Sequence, residues 1–176
     1  MGPPGPISTN LSGAPQSIDV MRAFLATVIV LAAGCAGPGS FVGRAEADLR
    51  AGMGPPLAEY RNPDGSRTLA YSYGQFSGQT YLADVDGTGS VRGVRQVLVE
   101  ENFARLQPGM TRDEVLRLIG PPVDSMAFPR RAEISWEYRF IDTWGYRALF
   151  YVNLDERGIV VSKLTRRIEN DRATIR

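Results

Sequence analysis

The chain has 176 residues, and its 20 lysine and arginine residues against 19 aspartate and glutamate residues leave a formal net charge of +1. It contains no histidine and one cysteine, which excludes Ser-His-Asp and Cys-His nucleophiles, internal disulfides and thiolate zinc sites. No phosphate-binding or dinucleotide motif occurs, and the near-neutral charge does not indicate a nucleic-acid partner. We therefore expect no enzyme activity, no cofactor, no metal and no small-molecule substrate, with a hydrolase that uses carboxylates alone as a remote alternative.

The amino-terminal part of the chain has the composition of a tail followed by a signal peptide. Residues 1–20 are rich in glycine, proline, serine and asparagine, which is typical of a disordered segment. Met21 and Arg22 then precede an apolar run at 23–30 that is too short to span a bilayer stably. Residues 21–34 are thus predicted to be a signal peptide. Because a signal's charged head lies at the amino terminus, residues 1–20 are either disordered or an extension upstream of a true start at Met21.

The single cysteine follows this signal directly. Leu31-Ala32-Ala33-Gly34-Cys35 resembles the lipobox of bacterial lipoproteins, in which the cysteine is acylated and becomes the first residue of the mature chain. The lipobox most often has leucine three residues before the cysteine, where this chain has Ala32. The resemblance implies lipid attachment at Cys35, and Ala36 fits sorting to the outer membrane. The alternative is an ordinary secretory signal with a coincidental cysteine.

The mature chain is predicted to contain two copies of one small unit, residues 35–98 and 99–168. The stretch from Gly43 to Gly54 is as long as the stretch from Gly109 to Gly120, and two prolines follow each. In both copies a strand rich in aromatics comes next, then an apolar strand that ends in an Asp-x-x-Gly turn, then a third strand. The first copy is degenerate, because Ala45 replaces the threonine that begins the second helix.

The second copy carries the clearest local signals. Thr111 and Glu114 form a capping box, while Gly120 and the following proline end the helix, so a helix is predicted from Arg112 to Ile119. A shorter helix is predicted at 100–106, and two strands alternate apolar and polar residues, with their apolar positions at 136, 138 and 140 and at 150, 152 and 154. These elements predict an α+β fold in which two tandem ααβββ units pack short helices on antiparallel three-stranded sheets.

The second copy also resembles a known family. The segments LQPGMTRDEV (106–115) and IGPP (119–122), continued by WEY (136–138) and FYVNLDERG (150–158), are similar to the SmpA/OmlA or BamE-like lipoproteins. This resemblance implies a lipid-anchored protein of the Gram-negative outer membrane that faces the periplasm and acts as a non-catalytic accessory of the β-barrel assembly machinery. The usual member has one such unit. The doubled arrangement is instead similar to the architecture of the β-lactamase inhibitor protein.

The doubled arrangement supports a second hypothesis, a tandem envelope protein that binds or inhibits another periplasmic enzyme. Under this second hypothesis we expect the partner to contact the sheet face opposite the helices. Candidate contacts are Arg139 and Tyr151, which alternate away from the core, and Trp144 and Tyr146, which lie in the intervening hairpin. The alternative for Trp144 and Tyr146 is that both cover the edge of the hydrophobic core.

The carboxyl-terminal residues 169–176 are predicted to form a charged, solvated tail. An alternative is that arginines in and before this tail contact anionic lipid headgroups; they are Arg166, Arg167, Arg172 and Arg176.

Overall fold

The computed structural model describes residues 37–73 and 77–172, together with residues 1, 2 and 5. The predictions for the signal peptide at 21–34, for Cys35 and for the end of the charged tail lie outside the described residues. Within the described ranges, no helix combines the length and the apolar character that crossing a membrane requires.

The first unit consists of short helices followed by a meander of four antiparallel strands. Its strand order is β1-β2-β3-β4, so each strand pairs with its neighbour in sequence. The elements are a 3-10 helix at Pro38–Phe41, α1 at Glu46–Met53, β1 at Ala58–Arg61, β2 at Arg67–Ser72, β3 at Thr80–Val85 and β4 at Val91–Gln96.

The second unit repeats this arrangement. Its strands are ordered β5-β6-β7-β8 and are again antiparallel. The elements are α2 at Glu100–Arg105, α3 at Arg112–Ile119, β5 at Asp124–Phe128, a 3-10 helix at Pro129–Arg131, β6 at Glu133–Ile141, β7 at Tyr146–Asp155 and β8 at Val160–Arg172.

The predicted α+β class with two tandem units is confirmed, but each sheet has a fourth strand that the sequence analysis did not include. The additional strands, β1 and β5, follow the two prolines that end each helix. Both are short: AEYR alternates apolar and charged residues over only four positions, and DSMAF ends in three apolar residues in succession. Strand β8 also continues to Arg172, where it pairs with Tyr146, so the backbone of the predicted tail is extended up to that residue.

The two units share details of backbone hydrogen bonding. The N–H of Gly43 donates to the carbonyl of Val91, and the N–H of Gly109 donates to that of Val160, each at 2.8 Å. In both units the glycine after the helix has a positive φ, 80° at Gly54 and 78° at Gly120, which a residue with a Cβ rarely adopts. The same short motif therefore closes α1 and α3.

The core of the second unit lies between its helices and one face of its sheet. The predicted capping box is present, since Thr111 Oγ1 accepts from the N–H of Glu114 and Glu114 Oε2 accepts from the N–H of Thr111. Phe103 of α2 stacks on Phe150 of β7 with ring centroids 4.1 Å apart. The predicted apolar positions of β6 and β7 are all buried, namely Trp136, Tyr138, Phe140, Phe150, Val152 and Leu154.

The first sheet is buried on both faces. One face packs on α1 through Leu49, and the other carries a separate buried cluster of Ala70, Leu82 and Val97. The second unit contacts this other face, because a Cβ added at Gly120 would lie 2.9 Å from Thr80 Cγ2 and 3.8 Å from Leu82 Cδ2.

Arg117 of α3 donates hydrogen bonds to residues at the edge of the first sheet. Its guanidinium donates to the carbonyl of Arg61 at 3.0 Å and to Asn62 Oδ1 at 2.6 Å. The same group lies 5.8 Å from the ring centroid of Tyr60, which is within the range of a cation–π interaction. The two units therefore contact each other through both apolar and polar groups.

Candidate interaction surface

The second sheet has helices on one face only. Its opposite face, here called the outer face, is accessible near β5, whereas at the other end Leu149 is buried and Gly78 of the first unit lies against Phe140 and Ile141. Strand pairing places Asp124, Glu137, Tyr151 and Leu164 in one row across β5, β6, β7 and β8. A neighbouring row contains Met126, Ser135, Asn153 and Ser162. Except for Ser162, the residues of these rows line a concavity of about 380 Å³ together with Phe128, Arg131, Glu133 and Arg166.

Glu137 organises the polar centre of the outer face. Its Oε1 accepts a hydrogen bond from Arg139 Nε at 3.0 Å, and its Oε2 accepts one from Tyr151 Oη at 3.1 Å. The three side chains are partly buried. The structure thus brings together two residues that the sequence predicted as contacts, Arg139 and Tyr151, through the carboxylate of Glu137, which the sequence analysis did not single out.

The surroundings of Tyr151 favour its neutral form. Partial burial raises the pKa of its hydroxyl, and the negative charge of Glu137 and the hydrogen bond to it raise that pKa further. Tyr151 therefore stays a hydrogen-bond donor at physiological pH.

Exposed apolar side chains border this polar centre. Met126 of β5 is 58% exposed, and Leu164 of β8 is 59% exposed. Sequence reasoning missed both residues. Leu164 alternates with polar residues in a strand that is exposed over most of its length, and Met126 belongs to a strand that was not predicted at all. The one available signal was the spacing of Met126 and Phe128, two residues apart after the Gly-Pro-Pro segment.

The other two predicted contacts lie on the hairpin between β6 and β7. Trp144 is 72% exposed, so it does not cover the core. Tyr146 is half-buried, and the guanidinium of Arg167 lies 4.9 Å from its ring centroid. The structure thus places the four predicted contacts in two groups, one on the outer face and one at the hairpin.

A buried carboxylate holds this hairpin in shape. Asp142 Oδ1 accepts from the backbone N–H groups of Trp144 and Tyr146 at 3.0 and 2.8 Å, and its Oδ2 accepts from Arg167 Nε at 2.7 Å. Burial opposes its ionisation, but the Tyr146 N–H, the Arg167 guanidinium and the Trp144 N–H outweigh this and lower the pKa of Asp142. Trp144 is therefore presented to solvent by an ordered turn.

The outer face and the hairpin combine aromatic, apolar and charged side chains. Within residues 37–73 and 77–172, no three acidic residues or other ligating side chains cluster in a way that could hold a metal ion. A large aromatic, exposed apolar side chains and oriented charged groups are the residue types enriched where proteins contact one another.

Comparison with known families assigns the second unit. Residues 96–163 match the family model described as the outer membrane protein assembly factor BamE domain. The resemblance that the sequence suggested for residues 100–168 is thus confirmed. No curated protein matches the chain.

Solved structures give weaker similarities. A DUF4309 family protein from Bacillus subtilis is 14% identical, with 71% of this chain and 79% of that protein covered and a TM-score of 0.27. A proposed beta-lactamase inhibitor protein from Streptococcus mutans is also 14% identical, with 86% and 97% covered and a TM-score of 0.30. An extracellular protein with an SCP domain from Bacillus anthracis is 11% identical, with 74% and 44% covered and a TM-score of 0.29. At these TM-scores, no function is transferred.

Proposed function

We propose that this chain is a lipoprotein anchored in the outer membrane through Cys35, facing the periplasm, and a non-catalytic accessory of β-barrel outer-membrane protein assembly. The observation that carries the proposal is the BamE domain at residues 96–163, which spans the helices and most of the sheet of the second unit. The lipobox at Cys35 is an independent feature of the sequence that points to the same compartment.

The partner in this proposal is a protein of the assembly machinery, and the contact surface is the outer face with the neighbouring hairpin. Arg139 and Tyr151 supply oriented polar groups there, and Trp144 supplies an exposed aromatic side chain. A lipid anchor would concentrate the domain beside a membrane-embedded partner, which strengthens a weak interaction without adding a contact.

One observation favours the alternative, a tandem envelope protein that binds or inhibits another periplasmic enzyme. The BamE domain leaves residues 37–95 unaccounted for, although they form a complete second copy of the fold. An additional unit is what a protein with a different or larger binding surface would need.

The experiment that separates these functions is recovery of partners from outer membranes. Tagged full chain is purified in mild detergent, and copurifying proteins are identified by mass spectrometry, with Cys35→Ser as the anchor control. The proposal expects barrel-assembly proteins with the native chain and their loss with Cys35→Ser. Recovery of a periplasmic enzyme instead would favour the alternative, and an unmodified Cys35 in the purified protein would contradict the anchor.

A further inference from the structure

The four edge strands of the two sheets are protected to different degrees. An edge strand carries backbone N–H and C=O groups that its own sheet leaves unpaired, and proteins usually guard such edges with charges, bulges, short length or a covering segment. The edges of this protein are β1 and β4 in the first sheet and β5 and β8 in the second.

Three of these edges have evident protection. Strand β1 has only four residues, with charged Glu59 and Arg61, and its last carbonyl accepts a hydrogen bond from Arg117. The first residue of β4, Val91, exchanges backbone hydrogen bonds with the chain at 43–44, and β4 carries two exposed arginines. Strand β8 carries Lys163, whose ammonium donates to carbonyl groups of α2 at 2.8 and 3.2 Å, and its pairing with β7 is interrupted by register shifts.

Strand β5 has less protection, and it lies near its ends: Asp124 Oδ1 accepts from the N–H of Ser125 at 2.7 Å, and the guanidinium of Arg131 lies 5.2 Å from the ring centroid of Phe128. After Asp124 its residues Ser125–Met126–Ala127–Phe128 carry no charge, and the pairing with β6 runs without a register shift. Its first four residues are exposed, and Phe128 is partly buried. From Met126 to Phe128 the strand therefore presents a regular edge, without charged residues of its own, beside the concave outer face.

We propose that β5 binds an extended segment of a partner protein as an added strand. The unpaired edge of β5 would supply the main-chain hydrogen bonds, as in other cases where a peptide extends a sheet. Every second side chain of the added strand would lie beside Met126 or Phe128, because cross-strand neighbours on one face are only about 4.5–5.5 Å apart. The chemistry selected is thus an extended segment with apolar side chains at alternate positions.

That alternation is also the pattern of a membrane-spanning β-strand that has not yet been paired in a barrel. The identity of the ligand as such a strand rests on the proposed function, whereas the binding of an extended segment at β5 does not. The two proposals therefore fail separately. Absence of barrel-assembly proteins from the purified chain contradicts the proposed function, whereas absence of peptide binding at β5 contradicts strand addition.

The test uses the full chain in mild detergent and a labelled synthetic peptide of about ten residues that alternates valine and phenylalanine with threonine and lysine. A second peptide has the same composition with its apolar residues at helical spacing. Binding is followed by fluorescence anisotropy, and the location of binding by amide hydrogen exchange. The proposal expects the alternating peptide to bind at least about tenfold more tightly than the rearranged one and to slow exchange in β5.

Two variants place the contact on β5. Met126→Asp puts a charge at an exposed apolar position of the strand, and it is expected to weaken peptide binding about tenfold without changing the melting temperature. The matched control is Leu57→Asp, which also replaces an exposed apolar residue with aspartate but lies in the first unit. This control should leave binding unchanged. Equal loss in both variants, or no loss in Met126→Asp, would overturn the proposal.

Proline variants test the main-chain contact. N–H groups of successive strand residues point to opposite edges, so of Met126→Pro and Ala127→Pro only one removes a donor from the free edge. The proposal expects one of the two variants to keep its melting temperature and lose peptide binding. The proposal is contradicted if both proline variants fold and still bind the peptide, or if the peptide slows exchange at a different edge. It is also contradicted if β5 pairs with a second copy of the chain in place of the peptide.

Discussion

The first sheet is covered by α1 on one face and by the second unit on the other, whereas the second sheet has helices on only one face. The same motif thus has two uses in this chain. In the first unit the face opposite the helix holds the units together through Tyr60, Leu82 and their neighbours. In the second unit the corresponding face carries the partly buried Glu137, Arg139 and Tyr151. This face is open to solvent where Met126 and Leu164 lie. Duplication of a motif does not duplicate its binding surface when one copy serves as the support of the other.

The largest expected effect comes from the core of the second unit. Phe150→Ala removes a buried ring that packs on Phe103 and Tyr138, and truncations of this kind cost about 3–5 kcal/mol. Because the first sheet depends on the second unit for cover, we expect one unfolding transition at a lower temperature, with faster amide exchange in β2 as well as β7. A shift confined to the second unit, with β2 still fully protected, would show that the first unit is independent.

A pair of glycine variants measures the contact between the units. Gly120→Ala and Gly54→Ala face the same positive φ, but an added Cβ meets Thr80 at 2.9 Å in the first case and nothing within 4 Å in the second. We expect Gly120→Ala to lower the free energy of unfolding by about 1–2 kcal/mol more than Gly54→Ala, since overpacking adds to backbone strain. Chemical denaturation measures both, and equal losses would argue against close packing at this point.

The helix caps allow an exchange between the units. Thr111→Ala removes the capping box and should cost about 1 kcal/mol. Ala45 occupies the equivalent position with a similar extended backbone and no side-chain cap, so Ala45→Thr should gain up to about 1 kcal/mol. Denaturant midpoints report both changes. A destabilising Ala45→Thr would mean that the two amino-terminal helix ends differ more than their backbone angles indicate.

The smallest expected effect concerns Tyr60, whose buried hydroxyl has no hydrogen-bond partner among the described residues. Tyr60→Phe should therefore be neutral or stabilising by up to about 1 kcal/mol at neutral pH. Burial raises the pKa of Tyr60 from 10.0 to about 12, so the unfolded chain loses this proton at a lower pH than the folded chain does. The stability that this pKa difference provides is complete below pH 10 and is lost as the pH rises toward 12. The variant should lose less stability over this range than the native chain, and parallel pH curves would contradict this account.

Local sequence signals account for most of the second unit and for little of the contact between units. The capping box fixed the bounds of α3, and period-two alternation identified the buried faces of β6 and β7. Strands β1 and β5 were missed because they follow two prolines and are only four and five residues long. The three consecutive apolar residues Leu69, Ala70 and Tyr71, all buried in the structure, are a sequence signal of a strand covered on both faces. The sequence does not show what covers β2, because the covering groups, such as Arg117 and Gly120, lie far along the chain.

The candidate site was predicted in part for the same reason. Alternation placed Arg139 and Tyr151 on the outer face, and cross-strand pairing with Glu137 then brought them together. The exposure of Trp144 depends on the turn that Asp142 stabilises, and hairpin composition alone did not distinguish an exposed tryptophan from one that covers the core.

The most direct test of the central claim is site-specific photo-crosslinking in cells from the outer face. A photoreactive residue at position 151 or 164 of the second unit is compared with one at position 92, an exposed position on the first unit. The account predicts crosslinks to a barrel-assembly protein from positions 151 and 164 and none from position 92. Crosslinks to that protein from position 92 alone, or no crosslink to any envelope protein from the outer face, would contradict it.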